Sequence, residues 1–186
     1  MNKFYQIEIA GCKRNLKLYK INDNLSIAAF IIFNDVEVTK AAAKKLFELA
    51  PEYDIILTAE CKSIPLAYEM ASLSGNGSYI VARKGVKVYM ENVTQVDVNS
   101  ITTKGKQTLY LGQDDLDKLK GKRVLIVDDV ISTGKSLSAL EDLVKKAGAD
   151  IAAKVAVLTE GDASERDDII FLNKLPLFDG EGNILE

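Results

Sequence analysis

Apolar and polar positions change period several times along this chain. From residue 4 to residue 33 they alternate in twos: Tyr5, Ile7 and Ile9, a turn at 11–15, Leu16 and Leu18, then a run from Leu25 to Phe33. Period two puts alternate side chains on one face of a strand, so three short strands are expected. Over 39–50 the period lengthens, and Ala42, Leu46 and Leu49 fall on one side of a helix. A short buried strand follows at 54–58, and a helix at 64–73 carries Pro65 in its first turn, where a missing N–H costs nothing. Another strand is expected at 78–82. Residues 86–112 read as extended, interrupted by a polar stretch at 99–107. A short helix at 114–119, a strand from Val124, a helix at 138–147 and strands at 151–158 and 169–172 complete the pattern. Strands alternating with helices imply parallel β-α-β units. The expected fold is α/β, a central parallel sheet flanked by helices. A small N-terminal β region (1–36) packs as a hood on a core of 37–186, one domain overall.

The densest chemistry lies in Val124-Leu125-Ile126-Val127-Asp128-Asp129-Val130-Ile131-Ser132-Thr133-Gly134-Lys135-Ser136. Its first four residues describe a strand buried on both faces. Two carboxylates stand where that strand emerges, then a loop of hydroxyls and glycine, then a helix with Leu140, Leu143, Val144 and Ala147 on one side. That order places backbone N–H groups and a helix N-terminus around an anion, with two acceptors beside it for ligand hydroxyls. Gly134-Lys135-Ser136 also ends a P-loop, but that motif needs glycine where Asp129 stands. A receiver domain carries its acidic pair after its first strand, whereas more than a hundred residues precede this one.

Composition narrows the chemistry. The 186 residues, 47% hydrophobic and 27% charged, suit one globular domain. No apolar run approaches the roughly 20 residues that cross a bilayer, and no secretory leader pattern opens the chain, so a cytoplasmic protein is expected. Cys12 and Cys61 form no disulfide or metal framework. A net charge of −3 argues against general nucleic-acid binding. There is no histidine, which removes Ser-His-Asp, Cys-His and imidazole acid–base catalysis. Any reaction must run on carboxylates, Lys and Arg, hydroxyls, backbone dipoles or a hard metal ion.

The 124–136 run resembles the phosphoribosyl-pyrophosphate signature of the type I phosphoribosyltransferases, and the resemblance extends over the chain. Ala59-Glu60-Cys61-Lys62-Ser63-Ile64-Pro65-Leu66-Ala67 is similar to the pyrophosphate loop, especially the Tyr-Lys-Gly-Ile-Pro-Leu-Ala version of orotate enzymes, with Lys62 in the lysine's place. Arg83-Lys84-Gly85-Val86-Lys87 resembles the basic cluster of adenine and xanthine enzymes. Residues 99–107 resemble the mobile catalytic loop, with Ser100, Thr102 and Lys104; Thr102 stands where adenine enzymes have a glutamate. Ile32-Phe33-Asn34-Asp35 is similar to the purine hood, and Val157-Leu158-Thr159-Glu160-Gly161 to a base-binding strand end. Xanthine enzymes share Asn34 but add a lysine after the glutamate, where this chain has Gly161.

The resemblance implies a purine phosphoribosyltransferase, adenine ahead of xanthine, with orotate less favoured. It would join the 5-phosphoribosyl group of phosphoribosyl pyrophosphate (PRPP) to a purine and release pyrophosphate. Ser132, Thr133, Gly134, Lys135 and Ser136 would hold the 5-phosphate; the catalytic pair Asp128 and Asp129 would bind ribose hydroxyls. Lys62, Arg83, Lys84 and Lys87 would receive pyrophosphate with Mg²⁺, held mainly by substrate oxygens and water. Phe33, Asn34, Leu158 and Glu160 would meet the base, and loop 99–107 would be mobile until it closes. The partners implied are PRPP, a purine and a second copy of the chain in a homodimer, with neither nucleic acid nor membrane. The competing class is a PRPP-sensing regulator of the same fold. Thr102 favours it; a chain that opens on the hood strands, without room for a winged helix, speaks against it.

Overall fold

The computed structural model describes residues 3–75, 77–98 and 107–185. Strands β1 (Phe4–Ile9), β2 (Cys12–Asn22) and β3 (Leu25–Ala28) form an antiparallel meander. The turn between β1 and β2 uses Ala10 and Gly11 at positive φ. The third apolar run stops being a strand at Ala28; Phe30 and Ile32 instead point from the connection into the core.

Helix α1 (Val36–Leu49) begins three residues before the periodicity suggested, because Asp35 caps it by accepting the Val38 N–H at 3.1 Å. The same carboxylate receives two hydrogen bonds from Arg14 of β2, at 2.7 and 2.9 Å, and Arg14 also reaches Glu37 at 2.7 Å. One acid therefore starts the helix and ties the hood to it. Asn34, just before, adopts φ 66°, a conformation that asparagine tolerates better than most residues.

The core sheet consists of β4 (Ile55–Ala59), β5 (Tyr79–Ala82), β8 (Arg123–Ile131), β9 (Asp150–Glu160) and β10 (Ile170–Leu175), all parallel, in the order β10-β9-β8-β4-β5. Helices α2 (Ile64–Ser74) and α4 (Lys135–Lys146) are the crossovers that follow β4 and β8. Both faces of the sheet are covered, and residue parity sorts the side chains. Ile56, Leu125, Val127 and Val155 pack with α1, α2 and the hood; Ile55, Leu57, Val124 and Ile126 pack with α4. Double coverage explains the unbroken apolar runs of the sequence.

Between β5 and β8 lie an antiparallel hairpin, β6 (Thr94–Val98) and β7 (Gln107–Leu111), and the short α3 (Gln113–Leu119). Only part of 86–112 is strand. Arg83 and Tyr110 exchange two backbone bonds of 2.9 Å, and Lys146 of α4 donates to the Gln95 carbonyl at 2.9 Å, which together seat the hairpin on the core. Ser100, Thr102 and Lys104, expected in a mobile loop, lie outside the described residues. At the other end β11 (Leu177–Phe178) pairs with β3 and completes the hood sheet, so the hood includes chain from the C-terminal end. Phe178 is buried and stacks edge-on with Tyr5 at 5.3 Å between centroids. A two-residue strand carries no readable period, so its pairing was not anticipated. Among the described residues no helix is long and apolar enough to cross a membrane.

The double duty of Asp35 generates a stability prediction. Asp35→Ala loses the cap and leaves Arg14 with only Glu37 and the Lys13 carbonyl, and should cost at least about 1 kcal/mol in urea unfolding. Asp35→Asn keeps a good capping group and should cost less than the alanine variant. Equal unfolding midpoints for wild type and Asp35→Ala would contradict this.

Candidate active site

Parallel strands deliver their C-terminal loops to one edge of the sheet, and the register Thr58↔Val127 brings the loops after β4 and β8 together there. Thr58, fully buried, donates to the Val127 carbonyl at 2.8 Å and locks the two strands at their mouth. A cleft of about 420 Å³ opens beyond them. Its floor and walls include Glu60, Cys61, Lys62, Ser63, Lys84, Asp128, Asp129 and Ser136, with Val98, Gln107 and Leu109 of the hairpin on one side. Val98 and Gln107, the described residues on either side of 99–106, both line the cleft.

Asp128 is partly exposed to the cleft while Asp129 is buried. Burial and the neighbouring Asp129 push the Asp128 carboxyl up to about 7; a bond from Ser63 opposes the shift. Lys62 Nζ stands 2.7 Å from Oδ2 of Asp129, offset from the direction of a good hydrogen bond, so the oxygen is neutralised in charge but accepts no bond among the described residues. Ser63 binds both acids. Its Oγ lies 2.6 Å from Oδ1 of Asp128 and 3.2 Å from Oδ1 of Asp129, and it accepts the Asp129 backbone N–H at 3.0 Å.

Beside the acids, the chain passes through Ser132 and Thr133 to Gly134 and enters α4. A hollow of about 50 Å³ is lined by Asp128 and by residues 130–137. No side chain caps α4, whose first internal bond in this turn runs from the Ser138 N–H to the Gly134 carbonyl at 2.8 Å. The backbone N–H groups preceding Ser138 remain available to an anion. Gly134 sits at φ 71°, and a Cβ there would lie 2.9 Å from Nη1 of Arg166, whose guanidinium Asp168 holds with bonds of 2.8 and 2.7 Å. Both conformation and space call for glycine.

The other expected residues divide. Lys62 and Lys84 reach the cleft. Arg83 pairs with Glu60 of the cleft wall at 3.4 Å, and neither Arg83 nor Lys87 lines the cleft itself. The Lys84 backbone N–H, donating at 2.8 Å, and the nearby Arg83 and Lys87 hold Glu60 below the ordinary carboxylate range. The Leu158 side chain is wholly buried in the core, as expected for a strand covered on both faces. Glu160, at the end of β9, has its carboxyl pushed up by burial and, to a lesser degree, pulled down by the charge of Lys62. Phe33 is partly exposed, and Asn34 lines a separate groove with Pro65 and Tyr68; neither borders the cleft. Sequence reading missed Ser63 and Glu60. The signal for both was position, directly after a buried strand and before a helix with proline in its first turn.

Comparison with known proteins agrees with this geometry. Residues 34–176 match the family model described as a phosphoribosyl transferase domain. A hypoxanthine/guanine phosphoribosyltransferase of Methanococcus voltae is 34% identical over 152 residues, covering 82% of this chain and 74% of that one. An adenine phosphoribosyltransferase of a Thermotoga species is 31% identical over 139 residues, 70% of this chain and 78% of that one. The crystal structure of an adenine phosphoribosyltransferase from Thermoanaerobacter pseudethanolicus superposes with a TM-score of 0.67 at 20% identity, over 93% of this chain and 96% of that one, a likeness of fold. With the parallel sheet, the acid pair at the end of β8 and the glycine loop entering α4, these matches establish that the chain belongs to the phosphoribosyl transferase domain family.

Proposed function

We propose that the protein transfers the 5-phosphoribosyl group of PRPP to a purine base, releasing pyrophosphate. The observation that carries the reading is the pairing, at one cleft, of an acid pair with a phosphate-sized loop at the N-terminus of a helix. Two adjacent carboxylates at a buried strand end are costly, and such groups collect where a ligand uses them. In this reading the loop 132–136 takes the 5-phosphate through backbone N–H and hydroxyl donors. Asp128 and Asp129 accept from the ribose hydroxyls and favour the positive charge that grows on the ring as the C1–O bond to pyrophosphate breaks. Lys62 and Lys84 receive the leaving pyrophosphate, and the base nitrogen forms the new bond to C1. Catalysis is then electrostatic and positional.

Mg²⁺ fits these residues as an ion carried in by the substrate. Among the described residues no cluster of three or more ligating side chains surrounds a point, and Mg²⁺ commonly keeps waters and substrate phosphates as its ligands. When bound, it would neutralise pyrophosphate charge. The protein's own share is the lysines and the loop.

The identity of the base rests on less. The adenine preference derived from Gly161, which offers no cation to a 2-oxo group, counts against xanthine. It does not separate adenine from hypoxanthine and guanine, because a Glu160 carboxylate accepts from the amino group of adenine or from N1–H of a 6-oxopurine. The names of the Methanococcus voltae relative and of others like it favour hypoxanthine and guanine, so we place these first and adenine second. We propose that the protein works as a homodimer of this chain. A sedimentation mass of one chain would overturn that part.

The test is turnover. Purified protein with PRPP, Mg²⁺ and a panel of hypoxanthine, guanine, adenine, xanthine and orotate should form nucleoside monophosphate, fastest with a 6-oxopurine other than xanthine. Asp128→Asn or Asp129→Asn should lower turnover by at least about tenfold, equivalent to ~1.4 kcal/mol in the barrier. PRPP binding without product from any base would identify a sensor instead.

The acid pair also predicts a pH dependence of the free protein. The folded state holds the Asp128 proton more tightly than the unfolded chain, so this group makes stability fall as pH rises from the ordinary aspartate range, roughly 4, through about 7. Asp128→Asn removes the penalty. Its urea midpoint relative to wild type should rise from pH 5 to pH 8; a pH-independent difference would refute the coupling.

A further inference from the structure

Ser63 is 2% exposed, and its hydroxyl is the one side chain among the described residues that hydrogen-bonds to both acids of the pair. A hydroxyl carries one proton. The 2.6 Å contact assigns that proton to Oδ1 of Asp128, and the Asp129 N–H at 3.0 Å fills a lone pair of the same oxygen. Oδ1 of Asp128 also takes the Asp129 N–H at 2.9 Å, so side chain and backbone close a small ring around the first acid. Among the described residues nothing makes a hydrogen bond to Oδ2 of Asp129, which Lys62 Nζ approaches at 2.7 Å. The Tyr-Lys-Gly-Ile-Pro-Leu-Ala version of this loop has glycine in the position of Ser63 and no hydroxyl to offer.

We propose that Ser63 is a positioning residue for PRPP: its hydroxyl clamps Oδ1 of Asp128 and the backbone of Asp129 so that the Asp128 carboxylate, the acid partly open to the cleft, is presented to a ribose hydroxyl. The proposal rests on the phosphoribosyl-transfer reading. Without the hydroxyl, Asp128 keeps one backbone donor, and on the side of the β4 loop only Lys62, at Oδ2 of Asp129, still meets the pair. Substrate binding must then order them. A bond from a neutral donor to a charged acceptor is stronger than one between neutral groups. The clamp also joins the pyrophosphate-binding loop to the strand that carries the acids, across 65 positions of sequence.

The test compares wild type with Ser63→Ala, Ser63→Cys and Ser63→Thr. Cysteine nearly keeps the volume but is a weak donor, whereas threonine keeps the hydroxyl. PRPP dissociation constants come from calorimetry with Mg²⁺ present, and purine KM from steady-state turnover. Ala and Cys should weaken PRPP binding by about tenfold, the loss of one bond to a charged group. Purine KM should stay within about twofold, and Thr should restore PRPP affinity to within about threefold of wild type. Wild-type affinity in both Ala and Cys overturns the role, as does a folded Thr variant as weak as Ala, or equal losses for PRPP and purine. A wild-type protein that does not bind PRPP overturns the transfer reading beneath it. Normal wild-type transfer with unaffected Ser63 variants removes only the clamp.

Discussion

Two carboxylates on consecutive residues at the end of a buried strand have to be held against their own repulsion and against the loss of water. Here the holding groups come from another strand's loop: Ser63 and Lys62 follow β4, and they meet Asp128 and Asp129 at 2.6 to 3.2 Å. That requirement orders the centre of the molecule. β4 must be the parallel neighbour of β8, in register, with Thr58 opposite Val127. Helix α2 must begin immediately after Ser63, and Pro65 in its first turn helps to fix that entry. The register shift that leaves one extra residue on β9 beside β8 falls at the opposite end, near Val124, away from the acids.

The hood depends on a second, more ordinary compromise. Asp35 satisfies the start of α1 and neutralises Arg14, whose guanidinium is held mainly by that acid and secondarily by Glu37. The bond from Arg14 holds Asp35 below the usual carboxylate range. This pair is partly exposed, so it gives direction more than energy. The apolar contacts of Ile7, Ile9, Leu16 and Phe178 beneath it supply the burial.

Much of this could be read from residue order, and the boundary of what could is physical. The apolar run into Asp128-Asp129 and the glycine loop into α4 are local: strand, turn and helix are determined by neighbours in sequence, and they stand where the pattern put them. Lys62 and Lys84 were legible for the same reason, as cations following strands that end at the cleft. Arg83 was not, because it pairs with Glu60, 23 positions earlier. Leu158 looked like a strand-end contact, but a central strand hides both faces. Asn34 resembled a base-binding residue, while its position at positive φ before the capped helix gives it a backbone role. The C-terminal strand of the hood and the bonds of Ser63 are products of long-range pairing, which no local period encodes.

In the phosphoribosyl-transfer reading an anionic ligand enters a cleft that contains two acids, and the distribution of charge explains how it can. The acids lie on the β8 side, where Ser63 and Lys62 meet them. The unpaired N–H groups of α4 line a separate hollow a few residues on, and Lys84 enters from the β5 side. Phosphate and hydroxyl functions of one ligand would then face different walls. Lys62 stands between the two kinds of charge: it contacts Asp129 at 2.7 Å and also pulls down the Glu160 carboxyl at the end of β9. A ligand that brings phosphates to Lys62 would replace its carboxylate partner with another anion, while the hydroxyls of that ligand would donate to the acids. In that reading the cleft suits a molecule carrying both groups in a fixed order better than a phosphate or a sugar alone.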